Sequence, residues 1–315
     1  MLGKSKLIYG SMGLGGGWNE TKVSDEAIVK AEQAFITAID CGITFFDFAD
    51  IYSSGKSEKV FGEVIKKHPD IREKVKIQSK AGIILPDEEG INQFDFSTSH
   101  LIKTVEKSLE NLGVSMLDSL LLHRPDPLMN PKELKDAFDY LFENKMIAQM
   151  GVSNMNQYQI HFIEKATGRK VKANQLEISL LQLDWLDGTI GVNNDEGFKS
   201  TMTPGLMEYM MMNDIEIQAW SPMARGLFSG KELGEKPNEI IVKTRNYVEK
   251  LAQEKETTLE AIVLAFIMKH PGGIRPVIGT TRPDRIKASV EAEKITLSRK
   301  EWYKLYILSR GERLP

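Results

Sequence analysis

The feature that most constrains this chain is a repeating alternation. Eight short apolar runs recur from end to end: LIYG (7–10), ITFFD (43–47), VKIQSK (75–80), LDSLLLH (117–123), AQMGVS (148–153), KANQLE (172–177), IEIQAW (215–220) and RPVIG (275–279). Amphipathic stretches lie between them. In STSHLIKTVEKSLENLG, Leu101, Val105, Leu109 and Leu112 mark one helical face, a Ser/Thr cap precedes it and Gly113 closes it. TTLEAIVLAFIMKHPGG repeats the form and stops at Pro271 and Gly272. Strands alternating with helices in this way predict βα units and a parallel sheet.

Eight βα units can close into a (β/α)8 TIM barrel or open into a doubly wound sheet. The reactive residues favour the barrel. Asp47, Lys80, His123, Ser153, Gln175 and Trp220 fall at or near the C-terminal ends of six different predicted strands. A barrel gathers all strand C-termini on one face, where active sites form, whereas an open sheet would spread those residues along an edge. No composition shift or linker divides the chain, so residues 1–315 are expected to form a single α/β domain. Residues 181–199, polar and rich in Gly and Asn, predict a long loop after the sixth strand.

Composition narrows the function. Lys and Arg number 41 against 44 Asp and Glu, a net charge of -3, and no block of like charge stands out. Neither a nucleic-acid footprint nor a basic membrane face is expected. MLGKSKLIYG has no signal-peptide core, and no apolar run approaches the roughly 18 residues of a membrane span. The expectation is a cytoplasmic protein. Cys41 is the only cysteine, which excludes an internal disulfide, and at the end of a helical pattern it is expected to be a buried small hydrophobe. His68, His100, His161 and His270 sit in helices or at their ends without metal-ligand spacing, so no metal site is expected.

FFDFADIY (45–52) is the segment that needs a chemical explanation. A strand this apolar gains nothing from a carboxylate without a partner. Side chains alternate along a strand, so Phe45 and Asp47 share one face while Phe46 and Phe48 take the other. If the first face is the barrel interior, Asp47 enters the top of the core, and Asp50, beyond the strand, reads as a loop or turn carboxylate. Tyr52, Lys80 and His123 each have a structural reading of their own. Together they make more chemical sense. A phenol near pKa 10 is a poor acid at neutral pH, and a nearby ammonium held by a carboxylate lowers that value. Asp47, Lys80 and Tyr52 would thus form a relay, with His123 bonded to the same substrate oxygen.

This constellation resembles the aldo-keto reductase superfamily over nearly the whole chain. FDFADIYSSGKSE matches the family's Asp five residues before a Tyr, with Glu58 in the expected region. QSKAG carries its lysine and LLLHRPD its histidine. GVSN (151–154), NQLE (174–177), WSPMARG (220–226) and IGTTRPDRI (278–286) follow in order. The resemblance implies NADP(H)-dependent carbonyl reduction on a barrel without a Rossmann domain. By the residue-by-residue match, Asp47, Tyr52, Lys80 and His123 are catalytic. Ser153, Asn154 and Gln175 hold the nicotinamide carboxamide, Trp220 stacks on its ring, and Ser221, Pro222, Met223, Arg225, Gly226 and Leu227 lie along the pyrophosphate. Gly279, Thr280, Thr281, Arg282 and Arg285 form the phosphate end, where Pro283 opens a helix. Many members carry a lysine where Gly279 stands and an asparagine where Ser289 stands. GLGGG (13–17) lacks the last glycine of G-x-G-x-x-G, because Trp18 occupies that place. The resemblance puts it in the first βα loop, with Trp18 either a substrate-pocket wall or a plain loop aromatic. Two alternatives stay open: a nucleotide-binding sensor with little turnover, and an aldolase using Lys80 as a Schiff-base nucleophile. The substrate is expected to be set by residues 81–98, 181–199 and the C-terminal tail.

Overall fold

A computed structural model describes residues 5–18, 22–86, 88–193 and 200–315. In chain order its elements are β1 (Ile8–Gly10), α1 (Asp25–Asp40), β2 (Phe45–Asp47), α2 (Lys56–Lys67), α3 (Ile71–Lys74), β3 (Lys76–Ala81), β4 (Ile83–Ile84), β5 (Gln93–Phe94) and α4 (Thr98–Leu112). There follow β6 (Ser119–Leu122), α5 (Pro131–Glu143), β7 (Met150–Ser153), α6 (Gln157–Thr167), β8 (Val171–Glu177), α7 (Asp184–Ile190) and α8 (Leu206–Met212). The chain ends with β9 (Glu216–Trp220), α9 (Glu239–Glu254), α10 (Leu259–Met268), β10 (Arg275–Ile278), α11 (Pro283–Val290) and α12 (Arg299–Arg310). Eight strands close a parallel barrel in the order β1-β10-β9-β8-β7-β6-β3-β2, and each matches one of the eight apolar runs. The fold is a (β/α)8 TIM barrel. β4 and β5 form a separate antiparallel pair inserted after β3, inside the predicted loop at 81–98.

Local chemistry explains the boundaries. Ser97 caps α4 by accepting from the His100 amide, and Gly113 ends it in the left-handed region. Arg282 stands at the N-cap of α11 with Pro283 first inside. Strand alternation divides the two sides of β2 as expected. Phe46 and Phe48 point outward into an aromatic layer with Tyr9, Phe35 and Phe61, where ring centroids lie 4.9–5.9 Å apart for the pairs Phe35–Phe61, Phe48–Phe61 and Phe46–Phe61. Asp47 points into the barrel.

Three expectations need correcting. The segment after β8 is a loop only in part, because α7 occupies Asp184–Ile190 and residues 194–199 lie outside the described residues. Trp185 supplies the reason. It is buried against Phe266 and His270 at 5.9 and 5.4 Å, and Asp187 accepts a hydrogen bond from the Tyr306 hydroxyl of α12. Helix α10 is apolar on every side, with Ala261 to Ile267 all buried, because α9, α11 and β10 pack around it and Trp302 of α12 stacks on Phe266 at 5.1 Å. Cys41 is half-buried at the C-cap of α1 and not a core residue. Among the described residues no helix is long and apolar enough to cross a membrane, and no cluster of three His, Cys, Asp or Glu could hold a metal ion.

Candidate active site

The C-terminal ends of the strands converge on one cavity of about 780 Å³. At its floor, Lys80 is buried, with its ammonium donating to Asp47 Oδ2 at 2.6 Å, to the Tyr52 hydroxyl at 2.8 Å and to the Phe48 carbonyl at 2.9 Å. Asp47 Oδ1 accepts from Gln78 Nε2 at 2.7 Å and Gln175 Nε2 at 3.0 Å. Both amides also donate to Gln218 Oε1, at 2.8 and 3.0 Å. Three glutamines inside the barrel therefore aim Asp47 at Lys80. Gln78 and Gln218 were not singled out in the sequence. The signal was available, since each stands two residues before an inward-facing site residue, Lys80 or Trp220, on the same strand.

Tyr52 is placed by a tight turn. Its amide donates to the Ala49 carbonyl, and Ser53, Ser54 and Gly55 then follow with φ of 50°, 57° and 82°. Left-handed backbone costs a non-glycine residue on the order of 1 kcal/mol or more. Here it is held by Ser53 Oγ donating to Leu14 O at 2.9 Å and Ser54 Oγ donating to Trp18 O at 3.0 Å. GLGGG is thus packed on the entry to α2, where Gly15 (φ +90°) lies so close that a Cβ would come within 2.7 Å of the Lys56 backbone. It lies in the first βα loop as expected.

The electrostatics depart from the simple relay in one respect. Burial drives the Tyr52 phenol up and outweighs the attraction of Lys80, so the net direction is upward and not the lowering expected. Burial would lower Lys80, but the charge of Asp47 and the bonds to Asp47 and Tyr52 more than offset it, and its pKa is raised. The pair at rest is a neutral phenol on a firmly held ammonium. His123 follows β6, with its ring 6.0 Å from that of Tyr52. Burial, and then the charges of Lys80 and Arg124, hold it well below an ordinary histidine, so the imidazole is neutral. Among the described residues its Nδ1 is buried without a partner. Glu58, expected only as part of a motif, is buried and raised by that burial, and it accepts from Ser79 Oγ at 2.7 Å and Asn111 Nδ2 at 3.3 Å, tying α2 to β3 and α4.

The other predicted residues divide. Ser153, Asn154, Gln175, Trp220, Ser221, Pro222, Met223, Arg225, Gly226, Gly279, Thr280 and Arg285 line the cavity, and so does Trp18, which is 46% exposed at its rim. Leu227, Thr281 and Arg282 do not line it. Arg282 is drawn away by Asp284, to which its Nε donates at 3.1 Å and its Nη2 at 2.5 Å. Arg285 stays at the wall, 3.8 Å from Glu260. Gln175 turns its Nε2 down to Asp47 and Gln218, and Asn154, itself left-handed at φ 57°, accepts from Trp220 Nε1 at 3.0 Å. Of the segments expected to set the substrate, none of the described residues of 181–199 and none of the C-terminal tail lines the cavity, because α7 is packed against α10 and α12. Ile83, from the 81–98 segment expected to shape the pocket, is one apolar wall, and Met12, Ile51 and Val277 are apolar lining residues that sequence reading missed.

The cavity has the lining a nicotinamide dinucleotide needs. It runs from polar groups at the ends of β7 and β8, past the flat Trp220 indole, to an arginine near the start of α11. At Gly279 a Cβ would meet nothing within 4 Å, so the wall stands open where a bulkier residue could sit.

The profile of the Aldo/keto reductase family matches residues 6–309. The chain is 31% identical to the uncharacterized oxidoreductase YcsN of Bacillus subtilis, over 99% of this chain and 96% of that protein. It is 29% identical to a 6-dehydroglucose reductase of Agrobacterium fabrum, over 98% and 95%. Among solved structures, the glycerol dehydrogenase AKR11B4 of Gluconobacter oxydans superposes with a TM-score of 0.79 at 18% identity, covering 99% of this chain and 93% of that one, a likeness of fold. Members of this family bind nicotinamide cofactors and act on small carbonyl compounds. With a matching profile from β1 to α12 and full-length oxidoreductase relatives, this chain belongs to the aldo/keto reductase family.

Proposed function

We propose that the protein is a single-domain, cytoplasmic NADPH-dependent reductase of aldehyde or ketone carbonyls, with Tyr52 as proton donor. One observation carries the reading: Lys80 Nζ is bonded at once to Asp47 and to the Tyr52 hydroxyl beneath the cavity. A carbonyl oxygen seated over Tyr52 and His123 accepts hydrogen bonds from the phenol and the neutral imidazole. Bound NADPH supplies the hydride to the carbonyl carbon. As charge builds on the oxygen, Tyr52 delivers its proton, and the ammonium of Lys80 steadies the tyrosinate left behind. Asp47 keeps that ammonium charged and in place, and the three glutamines keep Asp47 in place. Lys80 itself is held protonated and buried, which argues against a Schiff-base nucleophile.

Ser153, Asn154 and Gln175 would hold the carboxamide, Trp220 the ring, and Ser221 to Gly226 the pyrophosphate. In that turn Ser221, Ala224, Arg225 and Gly226 all have positive φ, a backbone shape that forms anion-binding concavities. Arg285 is the better candidate for the 2′-phosphate, because Arg282 is engaged by Asp284. The test is Tyr52→Phe. NADPH binding, read by fluorescence, should persist while kcat for a reactive aldehyde falls roughly a hundred- to ten-thousand-fold. Wild-type turnover in that variant would remove Tyr52 from the chemistry.

A further inference from the structure

Arg124 directly follows His123 and lines the cavity, half-buried. Its guanidinium lies 5.8 Å from the centre of the Trp220 ring. The loop that carries it is firmly set, since buried Asp126 accepts from the Phe96 amide at 2.9 Å and the Leu128 amide at 2.7 Å. Among the described residues Arg124 has no ion-pair partner. The other cations here are accounted for differently. Lys80 is neutralised by Asp47, Arg285 faces Glu260, and Arg225 is exposed on the turn after β9. Glu177, at the end of β8, feels the charges of Arg225 and Arg124 but lies beyond ion-pairing distance of both. Around Tyr52 the remaining walls, Met12, Trp18, Ile51 and Ile83, are apolar.

The geometry points to Arg124 as a specificity residue that recognises an anionic group on the substrate, so that the preferred substrates are carbonyl compounds bearing a carboxylate or phosphate. This rests on the carbonyl-reductase reading above. A planar guanidinium with free donors matches either oxyanion in a bidentate fashion, and such charge-assisted bonds are roughly twice as strong as neutral ones. Its position next to His123 lets it hold the anionic end while the carbonyl oxygen stays between Tyr52 and His123. The apolar walls take the carbon chain between the two groups.

Two substrate pairs test this. The ratio of kcat/KM for 4-carboxybenzaldehyde over methyl 4-formylbenzoate reads carboxylate recognition, and glyceraldehyde 3-phosphate over glyceraldehyde reads phosphate recognition. The wild type should favour the anion at least tenfold in one pair, which also tells the two sources apart. Arg124→Met should lower that ratio at least tenfold, mainly through KM, and Arg124→Lys should recover part of it. A structural role would slow both members of a pair alike and leave the ratio unchanged. Wild-type ratios near one in both pairs would overturn the inference, whatever the variants do. So would an unchanged ratio in Arg124→Met with a raised KM for NADPH, which would assign the arginine to the cofactor. If the wild type reduces none of the four aldehydes, the carbonyl-reductase reading itself falls.

Discussion

Asp47 and Asp50 stand three residues apart and meet opposite fates. Asp47 ends a strand inside the barrel and is saturated by Lys80, Gln78 and Gln175. Asp50 was expected to be an ordinary turn carboxylate. It does stand in the turn, but half-buried, and among the described residues its Oδ1 lacks a partner; burial followed by repulsion from Glu58 pushes its pKa up to about 8. Between an ordinary 3.8 and that value, the folded chain holds a proton that the unfolded chain releases. Its contribution to stability is therefore complete below the unfolded value and is lost as pH rises through about 8. The stability of Asp50→Asn, neutral at every pH, should rise relative to wild type between roughly pH 4 and pH 8 and level off above, as read by urea melts. A difference that does not change with pH would mean that Asp50 is solvated. Asp47→Asn should behave otherwise. Leaving a buried ammonium without its carboxylate costs about 3–5 kcal/mol, and turnover with saturating NADPH should fall at least tenfold while Asp50→Asn turns over near wild type. The reverse ordering would show that Lys80 relies on the other carboxylate.

At the scale of elements, α11 shows how one helix start separates two arginines. Arg282 is the N-cap residue and folds onto Asp284, while Arg285, one turn further in, lies along the cavity wall. Gly226 sits beside it, with a Cβ position 4.0 Å from Arg285 Nη1, so the turn after β9 and the start of α11 face the same space. Arg285→Ala should therefore raise the KM for NADPH well above that for NADH. A charge-assisted bond contributes on the order of 1.5–3 kcal/mol, or roughly ten- to hundredfold. Arg282→Ala should change both cofactors by less than about threefold, the scale of an exposed ion pair. Equal effects of the two variants would contradict this division.

For the whole molecule, the consequence of a barrel is that the site exists only when the barrel is closed. Asp47, Lys80, Ser153, Gln175 and Trp220 come from five strands and His123 from the residue just after a sixth, all separated along the chain. A cofactor bridging β7, β8, β9 and α11, as proposed, would bind the folded form alone and stabilise it by mass action. At a hundredfold over its dissociation constant, NADPH should add about 2.7 kcal/mol, visible as an upward shift in Tm that grows with the logarithm of concentration. A melting curve indifferent to millimolar NADPH would argue against the cofactor site.

The sequence by itself determined the eight strands, the Ser/Thr start and Gly113 stop of α4, the opening of α11 at Pro283, and the pairing of Phe45 with Asp47 on one face of β2. Those features depend on local periodicity and on backbone chemistry, which a linear string displays. The convergence of Asp47, Tyr52, Lys80 and His123 was also legible, because strand ends in a barrel have one place to meet. Tertiary structure alone decided the rest. α7 exists because Trp185 found Phe266 and His270, the glutamine trio because three strands face one another across the barrel, and the retirement of Arg282 because Asp284 lies within its reach. Burial of Asp50 and the upward direction of Tyr52 belong with them. Each depends on how much water and charge surround a group, which is set by residues distant in the chain.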